Sequence, residues 1–262
     1  MVANNLSFVR ALVATNLKAT LALRSAFVIQ VVFMALNNFT FFVFWWALMV
    51  RVTTLRGWNL SDIELLFGIV AAAFGLTVTL AGGVRHLGRL IDDGALDTLL
   101  TQPKSVLVHA LGMRAQPSGF GDLISGLIFV AWAGHISWRT MPIVMVVIVA
   151  SALIFVACGI VFFSLAFWLG RVETVATQLW ELLVTFSLDP EPLFGGALRL
   201  VLFTLLPAGF VGYLPVRILR APSFASVATL LLVAIAYLCA AVLLFDRGLR
   251  RYSSGSRFTT FG

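Results

Sequence analysis

From Pro142 to Leu169 the chain runs without a charged residue. A helix needs about 20 predominantly apolar residues to cross the hydrocarbon of a bilayer, and this stretch exceeds that length. Its neighbours are built the same way. Of the 262 residues 61% are hydrophobic and 11% are charged, and the mean hydropathy is +1.03. Soluble domains carry roughly 25% charged residues. The chain therefore reads as an all-α integral membrane protein, one transmembrane domain over residues 1–262, with no room for a soluble domain of useful size.

The apolar runs predict six spans, at about Phe27–Val50, Ile63–Val84, Gly121–His135, Pro142–Leu169, Thr177–Leu188 and Phe224–Phe245. Val9, Leu12, Val13, Leu17 and Leu21 form one stripe in residues 1–24, as expected of a helix lying in the interface before the first span. Gly68 with Ala72, and Ala71 with Gly75, place small residues four apart, which lets helices approach closely. Val106–Met113 is too short to cross and is placed along the membrane surface. Residues 189–222 are apolar but punctuated by Pro190, Pro192, Gly195, Gly196, Pro207, Gly209, Gly212 and Pro215. That pattern predicts a re-entrant segment, since irregular backbone at membrane depth needs protein or water around it.

In this arrangement twelve of the 18 Lys and Arg residues, Arg114 and Arg171 among them, fall on the side of the two termini and the 85–105 segment, and six fall on the other. Positive loops stay inside, so both termini and that segment are expected in the cytoplasm. The net charge of +7 is then explained by topology and anionic lipid rather than by nucleic acid. No cleavable signal peptide is expected, because the first apolar run is too long for one. Cys158 and Cys239 sit in apolar runs and read as packing residues, not as a disulfide or metal pair. There is no Walker-type loop, metal-spaced His/Cys cluster or nucleophile elbow, so no catalytic or metal residue is assigned.

The main charged island is Arg85–Ser105. Leu87, Leu90 and Ile91 fall at i, i+3 and i+4, as do Leu96, Leu99 and Leu100, which is helical spacing. Asp92 or Asp93 is expected to cap the second piece, and Pro103 to stop it. Two readings follow: an interfacial loop on lipid headgroups, or a docking element for a soluble partner. Elsewhere, Glu181 is the acidic residue placed inside a span, a functional candidate by default with a structural role preferred. His109 and His135 are isolated and read as interfacial. Arg199, Arg217 and Arg220 are expected to anchor on lipid or to meet an anionic substrate. An ion-coupled transporter usually needs several buried ionisable groups, and a chain with neither these nor an ATP site needs an external engine.

An ordered set of short motifs carries a resemblance. Gly94-Ala95-Leu96-Asp97-Thr98-Leu99-Leu100 with Pro103, Arg56-Gly57-Trp58-Asn59-Leu60, Gly121-Asp122-Leu123-Ile124-Ser125-Gly126-Leu127, Leu179-Trp180-Glu181-Leu182-Leu183 and Leu206–Pro215 follow one another from about residue 56 to 220. The sequence resembles the permease subunits of bacterial type-2 ATP-binding-cassette (ABC) exporters, closest to their small six-helix members. It departs at Thr101-Gln102-Pro103, where the family has an apolar residue and an arginine before the proline.

The resemblance implies that Arg85–Ser105 is a coupling region on which a separate ATPase subunit docks. Arg89, Asp92, Asp93, Gly94, Leu96, Asp97, Leu99 and Leu100 are its expected contact residues, with the leucines in a partner groove and the aspartates on basic groups. Glu181 and Arg199 remain candidates for the path or its framework. It also implies a dimer of ATPase subunits carrying ATP and Mg, no cofactor on this chain, and a second permease, identical or a sister. The setting would be the bacterial inner membrane, in contact with its lipid. The competing readings are an ion-coupled secondary transporter and a non-transporting membrane scaffold.

Overall fold

The computed structural model describes residues 11–252 apart from 13, 17, 53, 135–137 and 139. The expectations for Val9, Val13, Leu17 and His135 lie outside the described residues. Every regular element among the described residues is a helix. In chain order these are α1 (Arg24–Arg51), α2 (Leu60–Leu80), a 3-10 turn at Gly82–His86, α3 (Leu87–Asp92), α4 (Asp97–Leu100), α5 (Val106–Gly112) and α6 (Ser118–Trp132). There follow α7 (Met141–Ser164), α8 (Ala166–Leu169), α9 (Glu173–Leu188), a 3-10 turn at Glu191–Leu193 and α10 (Gly196–Val201). A π-helical turn at Gly209–Tyr213, α11 (Leu214–Arg220) and α12 (Phe224–Leu249) complete the chain. Four helices are long and apolar enough to cross a membrane: α1, α2, α7 continued by α8, and α12. The third and fifth predicted spans, α6 and α9, are shorter, at 15 and 16 residues.

Local chemistry fixes the ends. Before α2 the chain reverses tightly, with Leu55 and Trp58 paired and positive φ at both Arg56 (47°) and Gly57 (87°), as a two-residue primed turn requires. Asn59 then caps α2. Its side chain accepts from the Asp62 amide at 3.0 Å, and the Asp62 carboxylate accepts from the Asn59 amide at 2.7 Å, a reciprocal capping box. Gly170, at φ 66° and ψ −145°, closes α8 in a conformation that is essentially glycine's alone. Ser223 caps α12 through the Ser226 amide at 3.1 Å.

The centre of the bundle is α2, whose Ile63, Leu65, Leu66, Ile69, Ala72, Ala73 and Val78 are fully enclosed. In lipid, burial of apolar surface gives little preference for one helix arrangement over another, so close packing must supply it. The α2–α6 contact does this with small residues. A Cβ on Gly68 would lie 2.9 Å from the Gly126 carbonyl oxygen, one on Gly75 2.5 Å from that of Gly119, and one on Gly126 2.5 Å from the Ala72 amide nitrogen. The small-residue spacing on α2 is thus matched by a second one on α6. On the outer side of α6, Phe39 and Phe42 of α1 close on Phe129 at centroid distances of 4.7 and 4.8 Å. The rest of α1 is largely unburied, with Phe42, Trp45 and Met49 its buried residues.

Residues 196–220 form a helix, a turn and a second helix. None of the α10 residues is buried, whereas Val211, Gly212, Tyr213, Pro215, Val216, Ile218 and Leu219 are. The π-helical turn is pinned from outside: Ser151 of α7 donates to the Val211 carbonyl at 3.0 Å, and the Tyr213 hydroxyl donates to the Phe186 carbonyl. Pro215 falls in the first turn of α11, where its missing N–H leaves no orphan.

Candidate functional site

Two features have the makings of a site: a knob at one end of the bundle and a half-open cavity in its side. The knob is the 82–105 segment. It begins where Gly82-Gly83 lets the chain pass against the end of α5; a Cβ on Gly83 would lie 1.9 Å from the Ala110 carbonyl oxygen. Gly94, at φ 72°, turns α3 into α4. The acidic caps expected from the sequence are absent: Leu96 occupies the N-cap of α4 and no side chain caps it. Leu87 and Leu96 are fully enclosed, and Ile91 and Leu99 nearly so. This corrects the placement of Leu96 and Leu99 in a partner's groove, because this chain's own core already covers them. Arg89, Asp93 and Leu100 are on the outside, while Asp92, Gly94 and Asp97 are half-buried. Arg89 Nε meets Glu173 Oε1 at 2.6 Å, joining the knob to the first turn of α9.

Tyr252, just after α12, packs against the same knob. The Tyr252 hydroxyl and Asp97 Oδ1 are both enclosed and adjacent. Burial, and then the neighbouring Asp97 carboxylate, push the Tyr252 phenol up to about 12. Gly94 leaves the space beside it: a Cβ there would sit 3.7 Å from that hydroxyl. His86 lies at the base of the knob with Arg114 Nη1 3.5 Å from its Nε2. Burial, then the guanidiniums of Arg114, Arg89 and Arg85, hold its pKa below the usual 6.5, against the opposing charge of Glu173.

The cavity has a volume of about 260 Å³ and lies between α1, α2, α6 and α9. Phe41 and Trp45 of α1, and Phe67 and Phe74 of α2, give it aromatic walls; Asn37, Asn38, Asp122, Thr185 and Asp189 give it polar ones. Asp122 is 2% exposed. Asn38 Nδ2 donates to Asp122 Oδ1 at 2.8 Å and also lies 2.8 Å from Ser125 Oγ, which itself donates to the Gly121 carbonyl at 2.8 Å. Asp122 Oδ2 has no hydrogen-bond partner.

Charges at the opposite end are paired inside the chain. Arg220 meets Asp62, which is 1% exposed, and its guanidinium carbon lies 5.2 Å from the Trp58 ring centroid. Arg199 reaches Glu191 at 2.9 Å, and Arg217 reaches the same buried carboxylate. Arg56 Nη1 donates to the Pro192 carbonyl at 2.9 Å. The arginines expected to anchor on lipid are therefore committed to acids of this chain, and Arg199 belongs to that framework rather than to the cavity. Glu181 is exposed on α9 and is not among the cavity's lining residues. Asp122 is the buried carboxylate that the reading of Glu181 overlooked. In the sequence it figures only in the 121–127 motif, and its partner Asn38 is 84 residues away.

The described residues thus give four helices long and apolar enough to cross a membrane, a knob tied to α9 and a half-open cavity lined by α1, α2, α6 and α9. Residues 35–256 match the ABC-2 family transporter proteins, and the chain belongs to that family. It is thus a permease-type membrane subunit of an ABC transporter. No curated protein and no solved structure matches it.

Proposed function

We propose that the chain is the membrane-embedded half of an ATP-driven exporter, working as a dimer of permeases whose path runs between them. A separate pair of ABC ATPase subunits, which carry the ATP and Mg, docks on the 82–105 knob. The observation that carries this reading is the build of the knob. Leu87, Leu96 and Leu99 root it in the core, Arg89, Asp93 and Leu100 face outward, and the Arg89–Glu173 pair ties it to a helix that lines the cavity. A partner's push on such a knob is passed to α9 rather than absorbed by a loose loop.

In this reading all 262 residues form one permease domain that crosses six times, through α1, α2, α6, α7–α8, α9 and α12. Residues 189–222 form the re-entrant segment on the far side. Both termini and the knob lie in the cytoplasm and the membrane is the inner one, in keeping with the distribution of Lys and Arg. The knob's acids and Leu100 meet basic and apolar groups of the ATPase.

The test is affinity purification of the full chain from its native membrane in mild detergent, with its companions identified by mass spectrometry. A stoichiometric ABC ATPase is expected, and a second permease in the same eluate distinguishes a sister subunit from a homodimer. Purification alone under every nucleotide condition, together with transport that survives ATP depletion but not a protonophore, would replace this reading with ion-coupled transport.

A further inference from the structure

We infer that the cavity between α1, α2, α6 and α9 is a binding site for an amphipathic organic cation, with Asp122 as its counter-ion. This deepens the exporter reading and rests on it, since it assigns a substrate class to the path-forming subunit.

An unmatched buried carboxylate is the first reason. A carboxylate removed from water must be neutralised or hydrogen-bonded through its remaining lone pairs. Asp122 is 2% exposed, and Asn38 supplies a single hydrogen bond to Oδ1. Oδ2, equally enclosed, receives none. The residue lines the cavity, so the missing partner has a place to come from. Intramembrane carboxylates that face a cavity rather than a fixed cation usually serve a mobile one.

Which cation is decided by the walls. No Lys, Arg or His is among the lining residues, whereas a second carboxylate, Asp189, is. The site is therefore acidic with no charge of its own to balance it. Phe41, Trp45, Phe67 and Phe74 add aromatic surface, and aromatic faces attract organic cations through their quadrupole, most strongly once water is excluded. A bare metal ion would need several hard oxygen ligands, and no cluster of three or more His, Cys, Asp or Glu able to hold one occurs among the described residues. The cavity is also roomier than such an ion needs, at about 260 Å³. An ammonium with an apolar body matches both halves of the lining: the charge toward Asp122, the body against the rings. An anionic or sulfonated molecule of the same size would face unpaired negative charge.

The test uses the full chain in lipid nanodiscs and follows equilibrium binding of benzyltriethylammonium by calorimetry, with 4-butylbenzenesulfonate as the anionic counterpart. Saturable binding of the cation, with none of the sulfonate, is expected. Asp122→Asn should weaken cation binding by about tenfold or more, as loss of one partner of a desolvated charge pair does, while Asp122→Glu retains it. Equal binding of cation and sulfonate by the unaltered chain would overturn the site whatever the variants do. So would unchanged affinity in Asp122→Asn. Absence of cation binding by a chain that brings its ATPase with it removes the cation site alone; cation binding by a chain that brings none supports the site and counts against the ATPase reading.

Discussion

Arg89 Nε and Glu173 Oε1 lie 2.6 Å apart, and this contact joins α3 of the knob to the first turn of α9. Both side chains are partly in solvent, at 62% and 35% exposure, so the pair adds little to stability. Its value lies in geometry, because it links the outward surface to the helix that ends at the cavity. Arg89→Glu should therefore leave the melting temperature unmoved and lower transport-coupled ATP hydrolysis. The swapped double variant Arg89→Glu/Glu173→Arg should recover most of the loss. Equal activity in the single and double variants would show that the contact transmits nothing.

The outward residues of the knob make a second prediction. Asp93→Lys and Leu100→Asp both change exposed side chains, so the protein should express and elute as before. Co-purification of the ATPase should drop in each. Leu99→Asp should behave differently, because Leu99 is 5% exposed and belongs to the chain's own core. Burying an unpaired carboxylate there should unfold the knob and lower expression. Pull-down yield measured beside expression level separates the two effects.

The α2–α6 contact should be intolerant of any added atom. In Gly126→Ala the new Cβ would lie 2.5 Å from the backbone nitrogen of Ala72, and backbone cannot step aside as a side chain can. Overpacking of this kind costs about 1–3 kcal/mol, read as a lower melting temperature in detergent. Gly195→Ala is the control: its backbone is extended (φ −140°) and nothing lies within 4 Å of the added Cβ, so the melting temperature should move far less.

At the other end, Arg220→Ala would take the counter-charge from Asp62, which is 1% exposed and keeps the Asn59 amide as a donor. Removing one partner of a buried ion pair costs about 3–5 kcal/mol. The double variant Arg220→Gln/Asp62→Asn should be less destabilised than Arg220→Ala, since asparagine at 62 keeps an acceptor for the Asn59 amide and carries no charge. Thermal unfolding of the three proteins gives the comparison.

His86 predicts a pH dependence with a definite sign. Its pKa is lowered in the folded chain, chiefly by burial and then by Arg114, Arg89 and Arg85. A base with a depressed folded pKa stabilises the fold fully above its unfolded value and loses that contribution as the pH falls through the folded value. The melting temperature should thus decline as the pH drops below 6.5, and less steeply in His86→Gln. Parallel curves would assign the decline to other groups.

What the sequence revealed and what it concealed divide along physical lines. Long uncharged runs such as 142–169 announce a helix in lipid because no other local arrangement satisfies their backbone. Gly68, Ala72 and Gly75 announce a close helix contact because only small residues allow one. The i, i+3, i+4 spacing of Leu96, Leu99 and Leu100 also announces a face, but spacing does not say what covers it; the chain's own core takes Leu96 and Leu99 and leaves Leu100 out. The fates of the charges were hidden for a different reason. Arg220 and Asp62 are 158 residues apart in sequence, Arg217 and Glu191 26, and Asn38 and Asp122 84. Pairs at such separations leave no periodic mark. Arginines therefore read as lipid anchors, and Asp122 stood unmarked within the 121–127 motif.

Two of the helices that line the cavity, α1 and α9, differ greatly in length. With 28 residues α1 extends about 42 Å, and with 16 residues α9 extends about 24 Å, against a hydrocarbon thickness of roughly 30 Å. In the proposed six-span arrangement the bilayer beside this protein is not uniformly thick around its circumference: acyl chains next to α9 compress or yield to residues 189–206, whose Leu198, Leu200 and Leu205 are exposed. Elastic energy of the surrounding lipid is thereby coupled to the position of that segment. Lengthening the acyl chains of the host membrane should bias it without a single contact within the protein being altered.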